Sequence, residues 1–152
     1  MRRIERLVCV LMLAALPSCT HAQQPTEMTK GRYALTLRVE GVRSASGQLR
    51  AELLGRSQDG EAPRRISFGV QDAVAGTNVM VFPDLPAGDY AVQLFHDENA
   101  NGKVDMNVIG VPLEGYGFSN VPVVQGGIPP FDVMKVSVAA DASATAVLVY
   151  AP

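Results

Sequence analysis

Cysteine is scarce in this sequence, which contains only Cys9 and Cys19. Cys9 lies in an apolar N-terminal run that we expect to be removed with a signal peptide covering residues 1–22. At most one cysteine is then left in the mature chain. The sequence therefore predicts a fold without a disulfide bond of its own, although the compartment would permit one.

Long apolar runs are also missing. The run from Leu7 to Leu16 is too short for a membrane-spanning helix, which needs about 20 residues. It follows a basic start and precedes small and polar residues, as in the signal peptide of an exported protein. Thr20-His21-Ala22 suits cleavage to a free periplasmic or secreted protein. Leu16-Pro17-Ser18-Cys19 resembles a bacterial lipobox, which would instead anchor the chain by a lipid at Cys19.

The predicted mature chain has no excess of basic charge. Without residues 1–22 the balance is 13 − 3 = 10 basic against 15 − 1 = 14 acidic residues, a net charge of −4. This argues against nucleic acid as a partner. Residues 66–134 hold eight acidic residues and only one basic residue, Lys103. An acidic half of this kind attracts cations, although it can also serve solubility alone.

No stretch has the period of a long amphipathic helix, and the patterns are those of strands. Tyr33 to Val39 alternates apolar and polar residues, and Gln48 to Leu54 is interpreted as its hairpin partner. Residues 55–65 are predicted to be an exposed loop. Further strands are predicted at Asn78 to Phe82, Asp89 to Phe95, Asp132 to Val138 and Ala144 to Tyr150. The predicted fold is an all-β, antiparallel Greek-key β-sandwich of about seven strands over residues 32–152, after a flexible tail at 23–31.

The segment after Phe95 carries oxygen-bearing side chains at the spacing of an EF-hand calcium loop. Positions 1, 3, 5 and 9 of that loop are taken by Asp97, Asn99, Asn101 and Asp105. Gly102 stands at the obligatory turn, and the backbone carbonyl of Lys103 is a further candidate ligand. Position 12 holds Val108 instead of a bidentate Glu. We therefore expect at most weak Ca²⁺ binding, with a dissociation constant of about 10⁻⁴ to 10⁻³ M.

The same loop can also be built without metal. Asn101-Gly102 is a strong hairpin-turn signal, and Asp and Asn side chains satisfy backbone N–H groups through Asx-turns. Both interpretations are open at the level of sequence. Glu114 would add a ligand if the chain folded back toward the loop.

His96 has the strand parity of Tyr90 and Val92, so we expect an inward, hydrogen-bonded histidine. An alternative function is a metal-assisted hydrolase built from His96, Asp97 and Glu114. That alternative requires the three side chains to converge on an open pocket. No nucleophile elbow or phosphate-binding loop accompanies them.

Tyr116 and Phe118 alternate with glycines directly after the loop. If exposed, they would form a ligand platform with His96 and Glu114 for a sugar ring or a peptide. If buried, they would cap the open end of the sandwich, which is favoured because the domain has few aromatic residues for its core.

Two motifs resemble known families. FPDLPAGDY, Phe82 to Tyr90, resembles the strand-turn-strand signature of transthyretin-like and collagen-adhesin-B-type sandwiches, which implies that Leu85 fills the core. HDENANGKVD from His96, with the IGVP and EGYGFSN segments that follow, resembles the exported bacterial family of unknown function numbered 2141 (DUF2141). That resemblance extends from about Arg32 to the C-terminus. It implies a sandwich fold and an exported location, but no activity.

The loop also resembles the calcium loop of surface-adhesin B repeats, which carry an acidic residue where this chain has Val108. This resemblance implies the same four side chains as ligands: Asp97, Asn99, Asn101 and Asp105. The predicted function is a non-enzymatic binding or structural module of the cell envelope, with Ca²⁺ as its one candidate cofactor. An envelope protein or a glycan is the predicted partner.

Overall fold

The computed structural model describes residues 31–56, 62–122 and 127–151. The predicted signal peptide, its cleavage site and Cys19 lie outside these residues, as do residues 23–30 of the predicted tail and residues 57–61 of the predicted loop. The described chain forms eight strands and one short helix, in this order: β1 (Arg32–Val42), β2 (Gln48–Gly55), β3 (Arg64–Asp72), β4 (Gly76–Pro86), β5 (Gly88–Asp97), β6 (Gly115–Phe118), α1 (Phe131–Met134), β7 (Val136–Val138) and β8 (Ala142–Val147). Among the described residues, no helix has the length and apolar character needed to cross a membrane.

The strands form two sheets, which pack face to face around the core. The smaller sheet has the order β4-β1-β8, and the larger sheet has the order β3-β2-β5-β6, with β7 also pairing with β5. The β-sandwich prediction is therefore confirmed. It is not purely antiparallel, however, because β1 and β8 run parallel to each other.

The core follows from the alternation of apolar residues along the strands. The fully buried side chains in its centre come from both sheets: Leu35, Leu37, Val39, Leu49, Leu53, Val92 and Val138. Each large apolar side chain contributes about 1.5–3 kcal/mol on burial. Leu85 is also buried in this cluster, as the Phe82 to Tyr90 motif implied.

Several sequence predictions about the strands are wrong. β2 is not the hairpin partner of β1: β1 pairs with β4 and β8, whereas β2 pairs with β3 and β5 in the other sheet. β3 was not predicted, and the predicted loop at 55–65 overlaps its first residues. The strand predicted from Asp132 begins instead as the single helical turn α1.

A second apolar cluster covers one end of the outer face of the larger sheet. It consists of Ala91, Phe118, Val121, Phe131 and Met134. Ser119 fixes this layer, because its buried Oγ accepts the Val92 N–H at 2.9 Å and donates to the Met134 carbonyl at 2.6 Å. The rest of the outer face, which includes Gln93 and Phe95 of β5, is open as a cleft.

Candidate functional site

Asp97 ends β5 and organises the loop that follows. Its side chain is completely buried, and its two carboxylate oxygens accept the N–H groups of Asn101 at 2.9 Å and Gly102 at 2.8 Å. Arg50 Nε on the neighbouring strand β2 lies 3.7 Å from Asp97 Oδ2. The carboxylate is thus used by backbone and arginine groups, which fix the turn at Gly102.

The loop has the Asx-turn arrangement. Asn99 Oδ1 accepts the N–H of Asn101 at 3.0 Å, and Asn101 Oδ1 accepts the N–H of Lys103 at 2.8 Å. The amide nitrogens of both asparagines point to Asp105, at distances of 2.7 to 3.1 Å from its carboxylate oxygens. The NH₂ groups of the two asparagines therefore occupy the positions beside the Asp105 carboxylate that a bound cation would need.

Glu114 folds back onto the loop, as one sequence hypothesis required. Its buried carboxylate accepts the N–H of Glu98 at 3.0 Å and the N–H of Asp105 at 3.1 Å. Burial raises the pKa of Glu114, the two backbone hydrogen bonds oppose that rise, and the charges of Asp105 and Asp97 add to it. Three carboxylates therefore share one small region of the protein.

The described residues contain no group of three or more His, Cys, Asp or Glu side chains placed to hold a metal ion. Val108, at the position of the missing acidic ligand, is fully exposed. A cation at this loop would have to draw on asparagine and carbonyl oxygens as well as on Asp97 and Asp105.

His96 is the inward, satisfied histidine that its strand parity predicted. Its ring nitrogens lie 2.8 Å from Tyr150 Oη and 2.7 Å from the Ser46 carbonyl oxygen, and the side chain is completely buried. Successive strand residues point to opposite faces, so His96 and Asp97 diverge. The structure does not bring together the three side chains of the hydrolase alternative on an open pocket.

A cleft of about 710 Å³ crosses the outer face of the larger sheet. Its floor comes from β2, β3, β5 and β6, with the residues Arg50, Glu52, Arg65, Phe68, Gln93, Leu94, Phe95, Tyr116 and Phe118. Its end walls come from two loops, with the residues Gly102, Val104, Met106, Gly110, Pro112, Gly127 and Ile128. The wall at residues 104–112 is a small hairpin, in which Met106 pairs with Pro112.

The polar groups of the floor are held in place by one another. Glu52 accepts Arg65 Nη1 at 2.8 Å on one oxygen and Gln93 Nε2 at 2.8 Å on the other. The guanidinium of Arg50 lies 5.3 Å from the centre of the Phe68 ring, which is within cation–π range. These contacts orient the floor before any ligand arrives.

Only part of the predicted ligand platform lies at the cleft. Tyr116 is half-buried, Phe118 is buried, and both border the cleft with their ring centres 6.2 Å apart. His96 and Glu114 do not line the cleft. Only the two aromatic residues of that platform therefore belong to the open site.

Sequence reasoning missed most of the cleft. Arg50, Glu52 and Gln93 lie in strands that the sequence predicted, but none of them was a candidate site residue. One signal was present: Phe95 shares the strand parity of Gln93, so a large aromatic side chain stands on the polar side of β5. Phe68 pairs with Glu52 and lies on the same outer face.

The chain matches a known protein family over most of its length. Residues 37–146 match the family described as "Uncharacterized protein conserved in bacteria (DUF2141)". The searches of curated proteins and of solved structures gave no match.

Proposed function

Because the chain belongs to the DUF2141 family, whose description names no activity, we propose its function from the geometry of the site. The protein is a non-enzymatic binding module of the cell envelope, and the cleft on the larger sheet is its ligand site. The observation that carries this proposal is the cleft itself, with a volume of about 710 Å³ over a hydrogen-bonded sheet. Ligand pockets are typically preformed concavities of about 300–1,000 Å³.

The composition of the cleft favours binding over catalysis. Its described lining contains one carboxylate, Glu52, and no histidine, cysteine, serine or lysine. Glu52 is engaged by Arg65 and Gln93, and no second carboxylate or histidine belongs to the described lining. General acid–base or nucleophilic chemistry needs such a partner.

The envelope location in this proposal depends on the N-terminal sequence. Residues 1–22 have the signal-peptide pattern, and Cys19 is the alternative lipid site. An exported module would present the cleft to molecules outside the cytoplasm. An acidic, net-negative domain suits that role because it stays soluble.

The cleft proposal is testable with small aromatic probes. We expect phenol and indole to shift the backbone amide resonances of β2, β5 and β6 in ¹⁵N-labelled protein, because the cleft contains exposed aromatic surface. Phe68→Ala should weaken these shifts. Val81→Ala is the matched control, because Val81 is a similarly exposed strand residue on the other sheet. Shifts scattered over the surface, or equal in both variants, would overturn the proposal.

Weak Ca²⁺ binding by the Asp97 to Asp105 loop is a second candidate function. Its supporting observation is the crowding of Asp97, Asp105 and Glu114, whose mutual repulsion contributes to the raised pKa of Glu114. Ca²⁺ would relieve that repulsion if the amides of Asn99 and Asn101 turned their oxygens toward it. The gain is opposed by the loss of the amide hydrogen bonds to Asp105, which is consistent with low affinity.

Ca²⁺ at ten times its dissociation constant is expected to stabilise the fold by about 1.4 kcal/mol. Differential scanning calorimetry should then show a melting temperature several degrees higher in millimolar Ca²⁺ than in chelator. Asp105→Asn should abolish this gain while keeping the shape of the side chain. Identical melting curves with Ca²⁺ and with chelator would contradict the calcium hypothesis and leave the cleft proposal intact.

A further inference from the structure

We propose that the cleft binds a neutral glycan chain, an inference that rests on the proposed function of the cleft as a ligand site. Four features of the cleft support this ligand class: its charge balance, the unused hydrogen-bonding capacity of its floor, its aromatic side chains and its length. Each feature selects against a different class of ligand.

The charges at the cleft balance one another. Arg65 pairs with Glu52 at 2.8 Å, and Arg50 lies 3.7 Å from the buried carboxylate of Asp97. The two cations of the lining are thus offset by Glu52 in the lining and by Asp97, which is buried and does not line the cleft. The Arg50 Nε atom has no hydrogen-bond partner, but it is buried, so a ligand in the cleft does not reach it. Within the described part of the cleft these charges offset one another, so the site favours a neutral ligand over a charged one.

A purely apolar ligand is disfavoured by the same floor. An apolar ligand would cover Glu52, Gln93 and Arg65 and displace the water that hydrogen-bonds to them. It would offer no hydrogen bonds in place of that water. Each carboxylate oxygen of Glu52 accepts one hydrogen bond from a side chain, which leaves further lone pairs free. Hydroxyl groups satisfy both donors and acceptors, so a polyhydroxy ligand fits this floor.

Aromatic side chains stand beside these polar groups. Phe68 is 44% exposed, and Phe95 and Tyr116 are half-buried at the cleft. Sugar rings have apolar C–H faces as well as hydroxyl edges, so they can pack on aromatic rings while their hydroxyls reach Glu52 and Gln93. The close mixture of aromatic surface and fixed polar groups matches that amphipathic chemistry.

The cleft is long enough for several sugar rings. It crosses four adjacent strands, from β3 through β2 and β5 to β6. Three spacings of about 4.8 Å give a floor of about 14 Å. β3 is an edge strand, so a chain can extend past it to the outside of the sheet. This shape suits an oligosaccharide segment better than a single compact metabolite.

The test is isothermal titration calorimetry of the full protein with four neutral trisaccharides: maltotriose, cellotriose, mannotriose and N-acetylchitotriose. We expect at least one to bind in the millimolar range or tighter. Phe68→Ala should weaken that binding about tenfold. Glu52→Gln should weaken it too, because one acceptor oxygen becomes a donor. Val81→Ala should bind like the unaltered protein. Circular dichroism of each variant verifies that it is folded.

Two further ligands distinguish a failure of the glycan assignment from a failure of the cleft as a ligand site. Decanoate represents an apolar anion, and trialanine represents a peptide. Binding of either one at the cleft, with no trisaccharide bound, would overturn the glycan assignment and leave the cleft as a ligand site. If none of the four trisaccharides binds while phenol and indole still bind, the glycan assignment is likewise wrong and the cleft remains a ligand site. If the cleft binds none of these probes, both the glycan inference and the proposed function fail.

Discussion

Replacing Asp97 by alanine is expected to lower the free energy of unfolding by about 3–5 kcal/mol, the cost of removing one partner of a buried ion pair. The carboxylate is completely buried and accepts the N–H groups of Asn101 and Gly102. Its loss leaves the Gly102 N–H without an acceptor and the Asn101 N–H with Asn99 Oδ1 alone. It also removes the carboxylate that is paired with the Arg50 guanidinium. Urea denaturation followed by far-ultraviolet circular dichroism measures the effect.

Two matched variants isolate the cause. Asp97→Asn keeps one acceptor oxygen but presents an NH₂ group to the second N–H, so it should lie between Asp97→Ala and the unaltered protein. Asp105→Ala removes a carboxylate that is only half-buried and bonded to asparagine side chains, and should cost about 1 kcal/mol. Equal losses for Asp97→Ala and Asp105→Ala would show that Asp97 does not organise the loop.

Gly47→Ala is expected to cost more than about 4 kcal/mol, a loss that single substitutions rarely reach. Gly47 lies in the connection from β1 to β2 and has a φ of +67°. An added Cβ would lie 1.9 Å from the carbonyl oxygen of Asp97 and 2.7 Å from the carbonyl carbon of Glu98. Both contacts are with backbone, so the strand end and the loop would have to shift together.

Gly110→Ala is the matched control for that prediction. Gly110 has a similar φ of +79°, but an added Cβ would meet nothing within 4 Å. Only the backbone strain of about 1–2 kcal/mol should remain. The difference between the two variants in chemical denaturation therefore measures the steric contact with Asp97. A difference near zero would be inconsistent with this close packing.

The sequence identified strands better than it identified their partners. Alternation from Tyr33 to Val39 reports which side of β1 is buried, and the structure confirms it. It carries no information about which sheet a strand joins, so the turn residues near Gly47 were misread as a hairpin between β1 and β2. β3 was missed because it is an edge strand, with seven of its nine residues exposed.

The candidate site was predicted unevenly for a similar reason. The inward orientation of His96 follows from the period of two along a strand, and the self-bonded loop follows from the chemistry of Asp and Asn. The cleft depends on which strands are neighbours. Phe68, Glu52 and Gln93 are brought together only by the order β3-β2-β5. No local pattern could have assembled them.

The parallel pairing of β1 with β8 has a kinetic consequence. Leu35 pairs with Ala142, so the two partners are 142 − 35 = 107 residues apart in the chain. The first described strand cannot acquire this neighbour until the chain has been made as far as residues 142–147. Long-range pairings of this kind slow folding, because the entropy of closing the loop is lost before the contact is gained. One side of β1 therefore stays unpaired until β8 is available, and an unpaired strand edge is a site at which chains can associate and aggregate.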